Sequence, residues 1–554
     1  MMDDSSAEKG FDTNMQPYAG KWVAMTGDKV IGHGGTPDQA LHAAQSSQYK
    51  EKLNIRFVPF IRDVVYPPIL KDVQRVLAEH SDVFLVGGCI RNALVGIPAH
   101  DLDIIVQNDT IRTARLVAKE LKAMLYVMDE DRNTVRLITM VDGEKFYLDF
   151  AEMRGKNLED DLLHRDFTIN AMAVSIQRPE ELLDPLGGAE DLQNHLIRMC
   201  SPDSIIHDPV RILRGIRLAA QYNLRIHPTT REAMKQRGSL LAGVSPERKR
   251  DELMKMLDEH RAATAVRALD WLGVLPETLP ELISLHGVEQ STPHTQNVWE
   301  HTLLAVQKLD GLYEVLCRPF TTDSAADFWL GLASVQLGRY REKFQEHFEK
   351  RFQNDRSRRS LLTLALLYHD TGKASTASVK GDGNVHFFGH EKVSADLIAE
   401  RARAMNLSRD ETDYLEKLAQ HHMRIHQLSM AGEPPTRKAV YRLFRDLGDE
   451  GVDLVLLSLA DLLAMYGPGM DQERWQNELD ICRRLLDAWW AEHDTAVEPV
   501  RLVDGNELMQ MYHLQPGVMV GDALEAIREA QVEGEIKTRE DIPAFMGRWL
   551  GNKN

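Results

Sequence analysis

Cysteine is scarce. The 554-residue chain has four, Cys89, Cys200, Cys317 and Cys482, and none stands at a paired spacing. This excludes a disulfide framework and a zinc ribbon, and it fits a protein of the reducing cytoplasm. Long apolar runs are missing too. None reaches the ~18–20 uninterrupted residues that a bilayer-spanning helix needs, so no membrane partner is expected. The opening MMDDSSAEKG is acidic and polar, unlike a secretory signal. No tandem self-similarity indicates a solenoid. Positive charge is in deficit, with 66 Lys and Arg against 84 Asp and Glu and a formal net charge of −18. Taken alone, that balance argues against a nucleic-acid partner, because phosphate binding requires cations.

The deficit is uneven. Between His207 and Arg250 stand ten Lys or Arg and only three Asp or Glu, a local excess of seven positive charges. A basic face inside an acidic protein is what an RNA site requires, although a solvated helix surface would read the same way.

The length implies three to five domains at ~100–200 residues each. The patterning predicts a multidomain α+β protein. Residues 1–50 read as a small hairpin–helix module, with strands around Gly27-Asp28 and a helix entered through Thr36-Pro37. Residues 55–190 alternate short strands and helices and predict a compact mixed sheet. Helical patterns dominate 191–275 and continue, strongly apolar, through 276–490; a helical tail occupies 491–554.

Chemistry concentrates first in LVGGCIRNALVGIPAHDLDIIV, Leu85 to Val106. Asp101 and Asp103 are two apart on a predicted strand and so share one face. Adjacent carboxylates repel unless a cation neutralises them, and hard oxygen ligands suit Mg2+. Gly87 and Gly88 allow a phosphate to approach the backbone, and the following helix offers free N–H groups. Asp149, in FYLDFAEM, is the candidate third carboxylate for two-metal phosphoryl chemistry; an edge-strand surface aspartate is the equal alternative.

Five motifs in order resemble the class II nucleotidyltransferases, the family of CCA-adding tRNA nucleotidyltransferases and poly(A) polymerases. After the metal motif come HRDFTINAMAV from His164, LLDPLGGAEDL from Leu182, HDPVRILRGIRLAAQYNLRI from His207 and GVSPERKRDEL from Gly243. The resemblance covers residues 55–275. It implies a small mixed-sheet head (55–190) that holds metal and nucleotide, and a helical neck (191–275) with the nucleotide-selecting helix and an RNA-binding face. By this resemblance Arg91, Arg165, Asp166 and Asn170 serve the sugar and the site. Asp208 and Arg211 select CTP and ATP by imitating a base-pair partner. Arg214 and Arg217 meet the triphosphate or the RNA end. Read as residues alone, Asp208 and Arg211 stand three apart, as on one helix face, where an ordinary surface ion pair would look the same.

Three positions depart from the family pattern. Asn92 follows Arg91 where an aspartate is usual, so a salt-bridging role there is in doubt. His207 replaces a common glutamate. Only about a dozen residues separate the Asp149 strand from Arg165, a short connector like that of enzymes adding CC alone.

A second constellation lies on apolar helices: His301, the pair His369-Asp370, and Asp461. Buried imidazoles and carboxylates need partners, and one metal would satisfy all four. With Lys373 three residues on, the set resembles the HD phosphohydrolases. GHEKVSA and QHHMRIH supply His390 and either His421 or His422 as secondary histidines. The resemblance implies a divalent metal of unspecified identity and a phosphatase or cyclic phosphodiesterase activity.

The whole implies an Mg2+-dependent enzyme adding C, A or both from CTP and ATP to tRNA or another RNA 3′ end. A poly(A) polymerase shares nearly all these motifs. A reading from another class makes the HD domain the working hydrolase and the head an RNA-binding relic.

Overall fold

The computed structural model describes residues 13–27, 29–46, 53–60, 64–130, 132–319, 327–352, 354–379, 381, 383–431 and 433–551. The chain divides into two compact units, residues 1–243 and 244–554. The division falls inside the stretch 191–275.

Within the first unit, β1 (Trp22–Thr26) and β2 (Lys29–Gly34) form the hairpin expected there, and α1 (Pro37–Ser46) follows. Asp28 of its turn lies outside the described residues, as do residues 1–12 of the module. Thr36 caps α1, its hydroxyl accepting from the Gln39 N–H at 3.2 Å. β3 (Asn54–Phe57) pairs with β1. The Trp22 indole donates to the Leu182 carbonyl at 2.6 Å, and the Asp184 N–H donates to the Gly35 carbonyl at 2.7 Å. The module is thus seated on the 182–184 segment.

The head follows. Its elements are α2 (Ile69–Val76), β4 (Val83–Val86), α3 (Gly88–Val95), β5 (Asp101–Val106), α4 (Thr110–Leu121), β6 (Met124–Asp129), β7 (Thr134–Val141), β8 (Glu144–Glu152), α5 (Leu158–Leu163), β9 (Ala173–Ser175) and β10 (Arg178–Leu183). Seven strands make one sheet in the order β10-β9-β4-β5-β8-β7-β6. All neighbours are antiparallel except β5 and β8, so the expected mixed sheet is present. Strand β6 was not expected, because MLYVMD continues the apolar pattern of the preceding helix. Lys122, in left-handed conformation, ends α4 just before it.

Alternation sorts the sheet into two faces. Leu102, Ile104, Val135, Leu137, Leu148 and Phe150 point to one side and pack in a core with Val73 of α2 and Val117 of α4. On the other side Val86, Ile105 and Ala173 pack against Leu162 of α5, which covers only that end. The remainder of this second face carries Asp101 and Asp103. Beyond the sheet, α6 (Gly188–Gln193), α7 (Ser204–His207) and α8 (Arg211–Gln221) complete what the chemistry of this unit needs.

The second unit is helical apart from a short antiparallel ribbon that pairs Ser378–Val379 with Val385–His386. The helix Glu450–Tyr466 belongs to a run, Glu450–Gly469, that is long and apolar enough to cross a membrane by length and composition. Glu450, Asp453 and Asp461 interrupt its apolar sequence. It is 78% buried within the structure and is a core helix. The tail helices Gly505–Tyr512, Val518–Val532 and Ile542–Gly551 share a small core of their own around Leu508, Ile527 and Met546.

Candidate active sites

The first site is built on the turn from β4 into α3. Gly87 has φ +78°, and a Cβ there would lie 2.8 Å from Asp103 Oδ2 and 3.3 Å from Arg165 Nη1. Backbone strain and crowding both require glycine. The same measurement places Asp103 and Arg165 against the turn. Asp101 and Asp103 share the open face of β5, and Asp103 lies in register with Asp149 on β8. Burial pushes the Asp103 carboxyl above the usual carboxylate range. Arg165 draws it back, while Asp149, Asp101 and Asp166 push it further up. A crowd of carboxylates on the open face around Asp103 fits a divalent cation, as the residue types suggested.

Asp149 is close to that pair but otherwise engaged. Arg136 of β7 donates to both its oxygens, Nε to Oδ1 and Nη2 to Oδ2, each at 2.7 Å. Sequence reasoning missed Arg136, since nothing local ties it to the motif.

Behind the glycine turn runs a buried polar network. Arg91 donates to Asn170 Oδ1 and to Asn92 Oδ1, and its guanidinium lies 4.3 Å from the centre of the Tyr222 ring. The Tyr222 hydroxyl donates to Asn92 Oδ1 at 2.7 Å. Asn92 therefore works as a shared acceptor, a role an amide fills without charge. Asn170 donates to Asp166 Oδ1 at 3.1 Å, and Arg214 reaches Asp166 Oδ2 at 3.3 Å. Burial pushes Asp166 up, but Arg214, Asn170 and the Phe167 N–H outweigh it and hold the carboxyl below its ordinary value. The network joins α3, the Arg165–Asn170 segment and α8. Tyr222, which ties it to the end of α8, carried no signal in the sequence.

The shared helix face expected for Asp208 and Arg211 is not what forms. Asp208 ends α7 with extended backbone, and Arg211 is the first residue of α8. Pro209 stands between them, a residue that disfavours helix at its predecessor. The Arg211 guanidinium donates to the carbonyls of His164 at 2.8 Å and Arg165 at 3.0 Å and to the Ser204 hydroxyl at 2.8 Å. Here it braces the loop that presents Arg165. Arg217 bonds Gln221, one turn on along α8.

The second site gathers His301, His369, Asp370 and Asp461, as expected, with His390 and His422. His301, His369 and Asp370 form one buried triad that could hold a metal ion; Asp370, His390 and His422 form another. His422, not His421, is the second of the two histidines. Three rings are pinned through Nδ1 to backbone carbonyls three residues earlier: His369 to Leu366 at 2.7 Å, His390 to Phe387 at 2.7 Å and His422 to Ala419 at 2.8 Å. That leaves each Nε2 aimed inward, the anchoring typical of ligating imidazoles. His301 Nε2 and Asp461 Oδ1 are 2.9 Å apart, yet both are buried without a hydrogen bond; they converge on a shared point. An imidazole nitrogen and a carboxylate oxygen left without hydrogen bonds fit as ligands to a divalent ion. Asp453, two turns earlier on the same helix, is the contrast. It is saturated by Arg358, His347 and Tyr414 and has no ligand capacity to spare.

Around the triads, Lys373 Nζ donates to Asp370 Oδ2 at 2.6 Å and to Gln290 at 2.8 Å. His426, which sequence reasoning overlooked although it stands four residues after His422, bridges Asp461 and Glu478 at 2.9 and 3.2 Å. Burial alone would push the His369 imidazole down, but Asp370 and Asp461 outweigh it and hold it up at about 10. Burial and the charge of His369 push His422 down to about 3.

Residues 83–198 match the Poly A polymerase head domain, 223–285 the probable RNA and SrmB-binding site of polymerase A, 334–466 the HD domain, and 15–60 a family of unknown function, DUF5678. The chain is 32% identical over 472 residues to the A-adding tRNA nucleotidyltransferase of Deinococcus radiodurans, an alignment covering 84% of this chain and 95% of that one. It is 30% identical over 480 residues to the CC-adding tRNA nucleotidyltransferase of Thermus thermophilus, covering 85% and 95%. In fold it is similar to a CCA-adding enzyme solved in complex with CTP, with a TM-score of 0.56 at 21% identity over 88% of this chain and 99% of that one.

Proposed function

Because the chain belongs to the family of class II tRNA nucleotidyltransferases and poly(A) polymerases that carry an HD domain, we propose that it adds C, A or both from CTP and ATP to tRNA 3′ ends without a template. The observation that carries the reading is the crowding of Asp101, Asp103 and Asp149 on one sheet face beside the Gly87-Gly88 turn. In this reading 55–190 is the head, 191–275 the neck, 276–490 the HD domain and 491–554 the tail.

The RNA 3′ hydroxyl attacks the α-phosphate of the bound nucleotide and pyrophosphate leaves. A divalent cation held by Asp101 and Asp103, Mg2+ in this reading, supplies charge neutralisation for hydroxyl and phosphate when bound. The α3 N-terminus and the Gly87-Gly88 backbone receive the triphosphate. Arg165 stands beside Asp103, where negative charge accumulates. Asp166 and Asn170, fixed by Arg214 and Arg91, shape the sugar pocket. Asp208 and Arg211 choose the base. Since Arg211 Nη1 and Nη2 are engaged by the His164 and Arg165 carbonyls and the Ser204 hydroxyl in this conformation, presenting them to a base requires that loop to shift when the nucleotide enters.

The HD site favours a second activity, hydrolysis of a phosphate ester at an RNA end. Divalent ions held by the two triads sharing Asp370 would supply an activated water there. Lys373 holds Asp370 in place and adds a positive charge for a phosphate.

The extent of addition is decided by one assay. Purified protein receives tRNA ending before CCA, with CTP alone, ATP alone or both. The connector between β8 and Arg165 is short, as in the enzymes adding CC alone, and that length favours addition of C residues alone. Growth by two C in every CTP-containing reaction is the expected result. Completion to CCA, addition of a single A only, or long A tails would each replace that detail, and no growth at all would overturn the function.

A further inference from the structure

The carboxylate face of the head does not stop at β8. Asp103 is in register with Asp149, Asp149 with Arg136 on β7, and Arg136 with Tyr126 on the edge strand β6. A second row runs Asp101, Tyr147, Ile138 and Met124. A third pairs Lys145 with Met140. Residues paired across strands point the same way, so all of these look out from the face that α2 and α4 leave uncovered. Helix α5 covers only the far end of it.

What the rows present is unusual for an ordinary surface. Tyr126 is 50% exposed and Met124 58% on the edge strand β6, and Met140 is 60% exposed on its neighbour β7. Such exposed apolar side chains at a sheet edge mark interaction sites or are liabilities. Cations are set among the rings: Lys145 Nζ lies 4.9 Å and the Arg136 guanidinium 5.4 Å from the centre of the Tyr147 ring. Asp149 holds Arg136 by two bonds at Nε and Nη2, fixing the plane of its guanidinium. Two tyrosine rings on one face, one of them flanked by two cations, make a stacking platform for single-stranded nucleic acid: every base has a π-face and every backbone step a phosphate. The rows lead directly to Asp103. Strands sit ~4.8 Å apart, so Tyr126 stands about 15 Å from the metal carboxylates.

We propose that the open face of β6, β7 and β8 seats the unpaired 3′-terminal nucleotides of the RNA being extended, with Tyr126 and Tyr147 stacking on bases and Arg136 and Lys145 meeting phosphates. The proposal rests on the nucleotidyltransferase reading of the same site. It also gives Asp149 a distinct task, as a positioning residue for Arg136. A protein partner or a second copy pairing along β6 would use the exposed apolar side chains but not the cations aligned with the carboxylates. The incoming nucleotide belongs on the glycine-turn side, so tRNA and CTP separate as readouts.

The test uses the full-length protein and tRNA lacking CCA. Affinity is read by fluorescence anisotropy of labelled tRNA, and extension is read with varied tRNA or varied CTP. Tyr126→Ala and Tyr147→Ala should each raise Kd and KM for tRNA by about tenfold, the size of one lost stacking contact. KM for CTP should stay within twofold, and Tyr126→Phe should bind like the wild type. Thermal unfolding guards against loss of fold. Unchanged tRNA affinity in the double variant overturns the proposal. So does a rise in KM for CTP in step with that for tRNA, or a change in oligomeric state without loss of tRNA affinity. Wild-type protein that fails to extend tRNA would sink the broader function instead, while the anisotropy arm still decides the platform.

Discussion

At the scale of single residues, the sequence conveyed which atoms carry chemistry better than how they are held. Asp101 and Asp103 share a face because strand periodicity dictates it, and His369-Asp370 sits on an apolar helix as read. Asp208 and Arg211 do not share a helix, because Pro209 ends one helix and the next begins at Arg211. Partners distant in sequence, Arg136 for Asp149 and Tyr222 for Asn92, were illegible because tertiary pairing alone creates them. The histidine pinned by Leu366 yields a direct expectation. His369, held up at about 10, carries a proton at neutral pH, and a protonated imidazole cannot ligate. Metal binding at pH 7 must therefore release that proton. Affinity should rise about tenfold for each pH unit toward 10, since the competing proton becomes scarcer. Calorimetry with Mn2+ in buffers of different ionisation enthalpy measures the release, compared between the wild type and His369→Ala. One proton fewer released by the variant is expected; equal release would remove His369 from the ligand set.

At the scale of elements, the strands that pair locally were legible and the edge was not. Met124 and Leu125 read as the end of the preceding helix by their apolar content, and MLYVMD becomes β6 because β7 is there to pair with it. The short connector was visible as a length. That it folds into a capped helix under Val86 and Ile105 was not. The N-terminal module was also visible as a hairpin and helix, but its seat was not. A Cβ on Gly35 would fall 1.5 Å from the Asp184 carbonyl oxygen, closer than any packed atom can stand. Gly35→Ala must push the module off the 182–184 segment or distort it. Overpacking of this kind costs about 1–3 kcal/mol, so the variant should unfold at lower temperature or urea concentration than the wild type. An unchanged midpoint would mean that the module does not hold this seat in solution.

At the scale of the whole molecule, each compact unit holds a complete polar site: carboxylates on a sheet in residues 1–243, and histidines with carboxylates among helices in 244–554. The sequence showed both constellations because each depends on short, local motifs. The central claim is that the sheet carboxylates perform nucleotide transfer and the helical site does not. Asp103→Asn tests it most directly, since the amide keeps the shape of the side chain on the open sheet face while removing the anionic oxygen that a metal would take. The measurement is incorporation of labelled CTP into tRNA lacking CCA by the full-length wild type, by Asp103→Asn and by a His369→Ala/Asp370→Ala double variant. Incorporation should fall to background in Asp103→Asn and persist in the double variant. Near-wild-type incorporation by Asp103→Asn, or its loss only in the double variant, would contradict the account.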